Sequence, residues 1–278
     1  MLLMLRLLAT TLLLNSLLGA SILNKDIEQF LKKSFEVNPN IIALNVKVVQ
    51  RTPVKQMKNW ESFIISIDAT VKAKPKPRQV KQKMIWFSNG IVMTQDLLDI
   101  KSGESLKDLV SPSFKQEYYK KENLIYGNEN AKHKVAIFSD PLCPFCRRFV
   151  PEAINYMKKQ PDKFAIYYYH FPLPSLHPAA VELVKAAIVS ELQGKKDVVL
   201  KLYKVDIDAN ERDVKKILAA FNKEMKTNVK PSDLNSDAVK KHIVSDLNVA
   251  DAVMVSGTPT IFFDGKLDKT KRKFQEVK

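Results

Sequence analysis

Cys143 and Cys146 are the only cysteines in this chain of 278 residues, and they stand three positions apart. Cys143 follows the short apolar run Val135 to Phe138 and opens a stretch of helical periodicity, so it falls where a strand ends and a helix begins. A sulfur at such a point faces unpaired amide N–H groups and the positive end of the helix dipole, which favours thiolate over thiol. Thiolate is the species that attacks disulfides. Arg147 and Arg148 add positive potential in the first turns. Cys146, one helical turn on, is the resolving thiol. Pro144 suits the first helical position because it has no N–H to leave unpaired, and it stiffens the loop. Phe145 supplies bulk without a hydrogen-bond donor, so the pair should be less oxidising than one with His in that place. The expected chemistry is dithiol–disulfide exchange carried by a Cys143–Cys146 disulfide, with no other cofactor.

A second element, Gly257-Thr258-Pro259-Thr260, precedes another apolar run. Most X–Pro bonds are trans, but behind a thiol-active unit a cis Thr258-Pro259 bond is expected. It would bring the Thr258 backbone beside Cys143, where an extended substrate segment could pair with it as an added strand. Two other readings of the cysteines compete. A structural disulfide closing so short a loop restricts the unfolded chain little. A zinc site needs two more ligands, and His133, His170, His177 and His242 are scattered without paired spacing, so no metal is expected. His170 and His177 flank Phe171-Pro172-Leu173-Pro174 and read as structural or surface residues.

Around this centre the chain must build a scaffold. Ile27, Phe30, Leu31 and Phe35 recur at helical spacing, with Asn24 as N-cap and Pro39 as terminator. Ile42 to Val48, Phe63 to Val71 and Val80 to Trp86 alternate as strands with one buried face. Asn89-Gly90 predicts a two-residue hairpin into Ile91 to Thr94. A small helix-plus-antiparallel-sheet domain over about 21–103 has a thin core, and a second copy would bury its remaining apolar face. Lys72 to Lys83 reads as a solvated basic loop. Ser111-Pro112 followed by Phe114 to Asn123 predicts a linker helix within 104–123. Val135 to Phe138, Cys143 to Lys158 and Phe164 to Tyr169 form a strand–helix–strand unit with a parallel strand pair. About 176–250 is helical, with breaks near Gly194, Asn210 and Pro231. Thr260 to Phe263 and Asp264-Gly265 then suggest a returning hairpin.

The first twenty residues carry one charge, Arg6, an apolar run from Leu7 to Leu14 and a small-residue close at Gly19-Ala20, the pattern of a secretory signal peptide over 1–20. An exported, oxidising compartment follows as the expectation. The net charge of +15 invites a nucleic-acid reading. Export argues against nucleic acid as a partner, which leaves a solvated Lys-rich surface.

The run Phe138-Ser139-Asp140-Pro141-Leu142-Cys143-Pro144-Phe145-Cys146, together with Gly257-Thr258-Pro259, resembles the DsbC/DsbG family of periplasmic disulfide isomerases. That resemblance implies a two-domain α+β protein. A thioredoxin-like α/β catalytic domain over 124–278, with its helical insertion, would follow a cystatin-like N-terminal dimerisation domain and a linker helix. It implies a periplasmic homodimer acting on exported proteins with cysteines and served by a membrane redox partner, either a DsbD-like reductant or a DsbB-like oxidant. The family's nucleophile, resolving cysteine and cis-proline loop carry over to Cys143, Cys146 and Thr258-Pro259, with Pro144 and Phe145 lining the substrate side. DsbA-like oxidases typically carry an acid six residues before the nucleophile and Val before the cis proline, whereas this chain has Ile137 and Thr258. Against that, His177-Pro178-Ala179-Ala180 and the long helical insertion are also similar to DsbA-type domains. Isomerase and oxidase both stand, as does a chaperone-like binding dimer in which thiol chemistry is secondary. Beyond Gly265 the chain is short and basic, so the usual closing helix is expected to be short or absent.

Overall fold

The structure is a computed structural model and describes residues 23–74 and 76–277. The apolar leader at 1–20 lies outside the described residues. Two compact units divide the chain, one ending at Val110 and the other starting at Ser111. Among the described residues no helix is long and apolar enough to cross a membrane.

The first unit opens with helix α1, Asn24–Glu36. Its N-cap is Leu23 rather than Asn24, because the Asp26 carboxyl reaches back to accept the Leu23 N–H at 3.0 Å. Helix α1 buries Ile27 and Leu31 against Val46, Val48, Phe63 and Ile65 of the sheet, each such side chain contributing about 1.5–3 kcal/mol. The antiparallel sheet runs in the order β1 (Ile41–Pro53), β2 (Glu61–Val71), β3 (Arg78–Ser88), β4 (Met93–Thr94).

Two sequence expectations are corrected here. The Asn89-Gly90 turn is a four-residue loop, because Ser88 pairs with Met93. The Asn89 side chain accepts the Ile91 and Val92 amides, both at 3.0 Å, which widens the turn, and only Gly90 takes positive φ. The basic loop is shorter than expected. β3 begins at Arg78, so Lys81 and Lys83 sit on the ladder opposite Asp68 and Ser66.

The expected linker helix is also replaced. A four-residue helix α2, Lys107–Val110, precedes two 3-10 turns, Gln116–Tyr118 and Lys121–Asn123. Tertiary packing overrides the helical pattern. The Phe114 amide donates to the Gly265 carbonyl at 2.8 Å, and the rings of Phe114 and Tyr119 pack edge-on against the sheet aromatics, Phe114 on Phe138 and Tyr169, Tyr119 on Tyr167.

The second unit is a five-stranded sheet in the order β5-β7-β6-β8-β9, built from β5 (Leu124–Tyr126), β6 (His133–Ser139), β7 (Phe164–His170), β8 (Thr260–Phe263) and β9 (Lys266–Leu267). β6 and β7 are parallel, joined by helix α3, Pro144–Met157, and β8 returns antiparallel to β6. Every residue of β7 is buried, the pattern of a strand covered on both faces. One face carries Val150, Ile154 and Met157 of α3; the other carries the aromatic layer of Phe114, Phe138, Tyr169 and Phe262. Helices α4 (Ala179–Leu192), α5 (Val198–Leu202), α6 (Val214–Met225) and α7 (Asp237–Ala252) form a separate apolar layer around Leu183, Ile188, Phe221 and Val239. Asp213 and Ser236 cap α6 and α7 by accepting the Lys215 and Val239 amides.

Asp264 and Gly265, at φ 48° and 81°, make the tight turn between β8 and β9. After β9 the chain forms only a 3-10 turn, Lys273–Gln275, among the described residues. Its Phe274 is buried and meets the rings of Phe149 and Tyr156 on α3. Buried Asp268 fastens this segment by accepting the Lys271 and Lys273 amides, each at 2.9 Å.

Candidate active site

Cys143 is the N-cap of α3 and Pro144 its first residue, so the nucleophile expected from sequence stands at the helix mouth. The β6–β8 ladder brings the second element to it. Phe138 pairs with Thr260, which leaves the cis Thr258-Pro259 bond just beyond the last rung. Cys143 Sγ lies 3.8 Å from the Thr258 carbonyl oxygen. The Thr260 hydroxyl donates to the Gly257 carbonyl at 2.7 Å and holds the loop's shape. Cys143, Cys146, Thr258, Pro259 and Pro144 therefore come together, while Phe145 turns outward at 64% exposure.

Both cysteines are free thiols. Cys146 is fully buried, and that desolvation pushes its thiol up to about 11. The polar surroundings at Ser139, Thr258 and the Asp140 backbone pull the other way, and the neighbouring Cys143 adds to the rise. The two arginines of the first turns point elsewhere than at the sulfurs. Arg147 donates from Nε to the Pro141 carbonyl at 2.9 Å and from its guanidinium to the Val205 carbonyl at 2.5 Å, tying the loop to the helical segment. Arg148 sits 5.9 Å over the Phe145 ring.

The residue that shapes the loop is Asp140, which is wholly buried. Its Oδ1 accepts the Leu142 and Cys143 amides at 2.7 and 3.2 Å, and its Oδ2 accepts the Leu173 amide at 2.7 Å. His177 Nδ1 lies 3.1 Å from that same Oδ2. The cysteine motif by itself gives Asp140 no role, although an Asp two residues before an amide it can accept is an Asx-turn signal. His177 is thereby a support of the loop from across the fold. The remaining histidines also meet carboxylates: His133 with Asp264 at 2.8 Å, His170 with Glu191 at 3.3 Å, and His242 with Asp246 at 3.7 Å. Among the described residues no group of three or more His, Cys, Asp or Glu is arranged to hold a metal ion.

Tyr168 and Tyr203 belong to the same buried cluster as Cys146, and their hydroxyls join that of Ser139. Tyr203 donates to Ser139 Oγ at 2.7 Å, and the hydroxyls of Tyr168 and Tyr203 are 2.8 Å apart. Burial holds both tyrosines above the ordinary phenol range. Nothing local in the sequence marks these hydroxyls as partners of one another.

Comparison with known proteins adds a family. The model of the thioredoxin family matches residues 120–278, more than half of the chain. Among curated proteins, a Na(+)/H(+) antiporter NhaA 1 of Mycolicibacterium gilvum is 27% identical over 144 residues, 51% of this chain and 23% of the antiporter. The chain thus spans about a quarter of the length of the curated relatives it matches. Among solved structures, a thioredoxin-like oxidoreductase from Silicibacter pomeroyi aligns at 22% identity over 57% of this chain and 91% of that one, with a TM-score of 0.46. Proteus mirabilis ScsC in a compact conformation aligns at 19% identity over 54% and 73%, with a TM-score of 0.44.

Proposed function

We propose, from the premise that this chain belongs to the thioredoxin family of thiol-disulfide oxidoreductases, that it is a protein disulfide isomerase or reductase acting on misformed disulfides of exported proteins. The observation that carries the reading is Cys143 Sγ at the start of α3, 3.8 Å from the carbonyl of Thr258 beside cis Pro259.

An extended substrate segment pairs with the Thr258 backbone, and exposed Phe145 gives it an apolar contact. The Cys143 thiolate attacks one sulfur of the substrate disulfide. The Cys143–substrate bond forms, the substrate S–S bond breaks, and the departing sulfur leaves as thiolate and takes up a proton. Release follows when Cys146, or another thiol of the substrate, displaces the substrate sulfur from Cys143. Isomerisation returns Cys143 reduced; reduction leaves a Cys143–Cys146 disulfide that a DsbD-like membrane reductant would reopen.

Two residues support this direction over the oxidase one, which would need a DsbB-like oxidant. Buried Ile137 stands where DsbA-like oxidases carry an acid, and Thr258 stands where they carry Val. The apolar leader supports a periplasmic location. The first unit supports a homodimer, because its edge strand β1 presents exposed Ile42 and Val49.

Reactivation of scrambled ribonuclease tests the reading. The wild type is expected to restore activity and Cys143→Ser to lose that ability; equal rates would overturn it. Acid quench and alkylation of cells should trap the protein mainly reduced, and a mainly oxidised protein would assign it to the oxidases instead.

A further inference from the structure

The loop that presents Cys143 is held by a carboxyl, and a carboxyl brings a charge. Asp140 accepts the Leu142, Cys143 and Leu173 amides within 3.2 Å, and its side chain has no exposed surface. A negative charge so close to the residue whose sulfur must ionise favours the neutral thiol. The opposing feature is His177, whose Nδ1 lies 3.1 Å from Asp140 Oδ2. Among the described residues it is the only basic side chain paired with that carboxyl. Backbone bonds fix its place at the start of α4: its amide donates to the Leu173 carbonyl at 2.8 Å, and its carbonyl accepts the Ala180 amide at 3.0 Å. Leu173 is thereby tied to both members of the pair. The His177 side chain keeps 13% of its surface exposed, against none for Asp140, so its second proton can come and go with the solvent.

We infer that His177 is a proton-linked positioning residue for the exchange reaction: protonated, it offsets the Asp140 charge and raises the share of Cys143 present as thiolate; deprotonated, it withdraws that help. The inference rests on the exchange reading above and goes beyond bracing, because a neutral imidazole still donates from Nδ1 and only the charge is lost. The proton stays on His177 throughout the attack. The Cys143–substrate bond forms, the substrate S–S bond breaks, and the departing sulfur takes its proton from water. Other charged or titratable groups stand on the elements around the pair. Arg147 of α3 is committed to the Pro141 and Val205 carbonyls, and Glu182 of α4 is paired with Lys185. Tyr168 of β7 is buried within the field of the Asp140 charge. Asp206 and Asp208 are exposed on the segment that meets α4 through the bond from the Ala179 amide to the Ala209 carbonyl. None of these is hydrogen-bonded or ion-paired with the Asp140 carboxyl, and histidine is the side-chain type whose charge changes between about pH 5 and 8.

Alkylation of Cys143 by iodoacetamide, a neutral reagent, reads the thiolate without any substrate, in a Cys146→Ser background from about pH 4 to about pH 9. His177→Asn keeps a side-chain N–H near the place of Nδ1 and removes the charge. A compensating charge acting from just beyond the carboxyl is expected to change the thiolate fraction about tenfold. A thiolate that ionises less readily is also more nucleophilic, with a Brønsted slope of about 0.5, so the alkylation rate at acid pH should fall about threefold. The deficit should close as pH rises, because the wild-type histidine then loses its charge too. It should vanish in an Asp140→Asn background, where there is no charge to offset. A histidine that only braces the loop predicts the reverse, faster alkylation of a loosened loop by a factor independent of pH. That result, an unchanged rate, or a deficit of the same size with Asp140→Asn would overturn the inference. Should His177→Asn fail to fold, His177→Gln, a longer uncharged donor, carries the same test. A wild-type protein that shows the pH-dependent deficit on substitution, yet forms no mixed disulfide with a disulfide-bonded peptide, would sink the exchange reading and leave the charge pairing standing.

Discussion

Replacing Asp140 is the sharpest test of how the reactive loop is held. In Asp140→Ala the Leu142 and Leu173 amides lose their acceptor, each at 2.7 Å in the intact protein, while the Cys143 amide loses its 3.2 Å bond to the carboxyl and keeps the 3.3 Å one to the residue's own backbone carbonyl. An orphaned buried donor costs about 1–3 kcal/mol. The Leu142 and Cys143 amides lie in a buried setting and the Leu173 amide in a half-buried one, so water recovers part of the third. The expected loss is about 2–4 kcal/mol, a large share of the ~5–15 kcal/mol that holds a typical domain. Asp140→Asn separates the two oxygens. It keeps Oδ1 for Leu142 and Cys143 but turns an NH2 toward the Leu173 amide, donor against donor, for about 1–3 kcal/mol. Urea unfolding with unchanged m-values reads both, and alkylation of Cys143 should quicken in the same order as the loop loosens. An Asp140→Ala variant within ~1 kcal/mol of wild type, or an Asn variant as costly as Ala, would refute the reasoning.

Three more expectations follow from other parts of the fold. Gly127→Ala should cost at least about 3 kcal/mol or prevent folding, because a Cβ there would lie 1.9 Å from the Phe164 carbonyl oxygen at a φ of +82°; Gly194→Ala, also at positive φ but with nothing within 4 Å, should cost about 1 kcal/mol, and equal losses in urea unfolding would contradict this. Phe274→Ala should lose about 3–5 kcal/mol, since the ring is buried against α3; calorimetry showing no change would mean that the tail does not cover the helix. Because burial raises Cys146 in the folded state from 9.0 to about 11, the folded protein holds that proton more tightly than the unfolded chain. The resulting stability is complete below pH 9 and drains away toward about 11. Unfolding of the reduced protein against pH should show this slope together with that of the buried tyrosines, which burial raises in the same direction, and Cys146→Ala should make it shallower by the share of one proton.

The parts of this fold that a reader of the sequence can find are those written in neighbouring residues. Alternation in 63–71, the Cys143-Pro144 junction and the Asp264-Gly265 turn each declare themselves within a few positions. Phe114, Tyr118 and Tyr119 mislead because their spacing suits a helix, while their burial on the sheet aromatics and the Phe114 bond to Gly265 decide the outcome. Asn89-Gly90 misleads because its side chain can accept two amides and so favours a wider loop. The donors and acceptors around the cysteines are harder still. Ser139 meets Tyr203 across 64 positions and Asp140 meets His177 across 37. In strands buried on both faces, no periodicity says which hydroxyl turns toward the helix.

The nucleophile and the carbonyl that faces it are separated by 115 positions of chain yet sit one rung past a shared ladder. A polypeptide emerging N-terminus first would therefore display its sulfur long before the dock for a target exists. Until β8 has zipped onto β6, there is a thiol without a place to seat a client, and selectivity arrives only when the domain is whole.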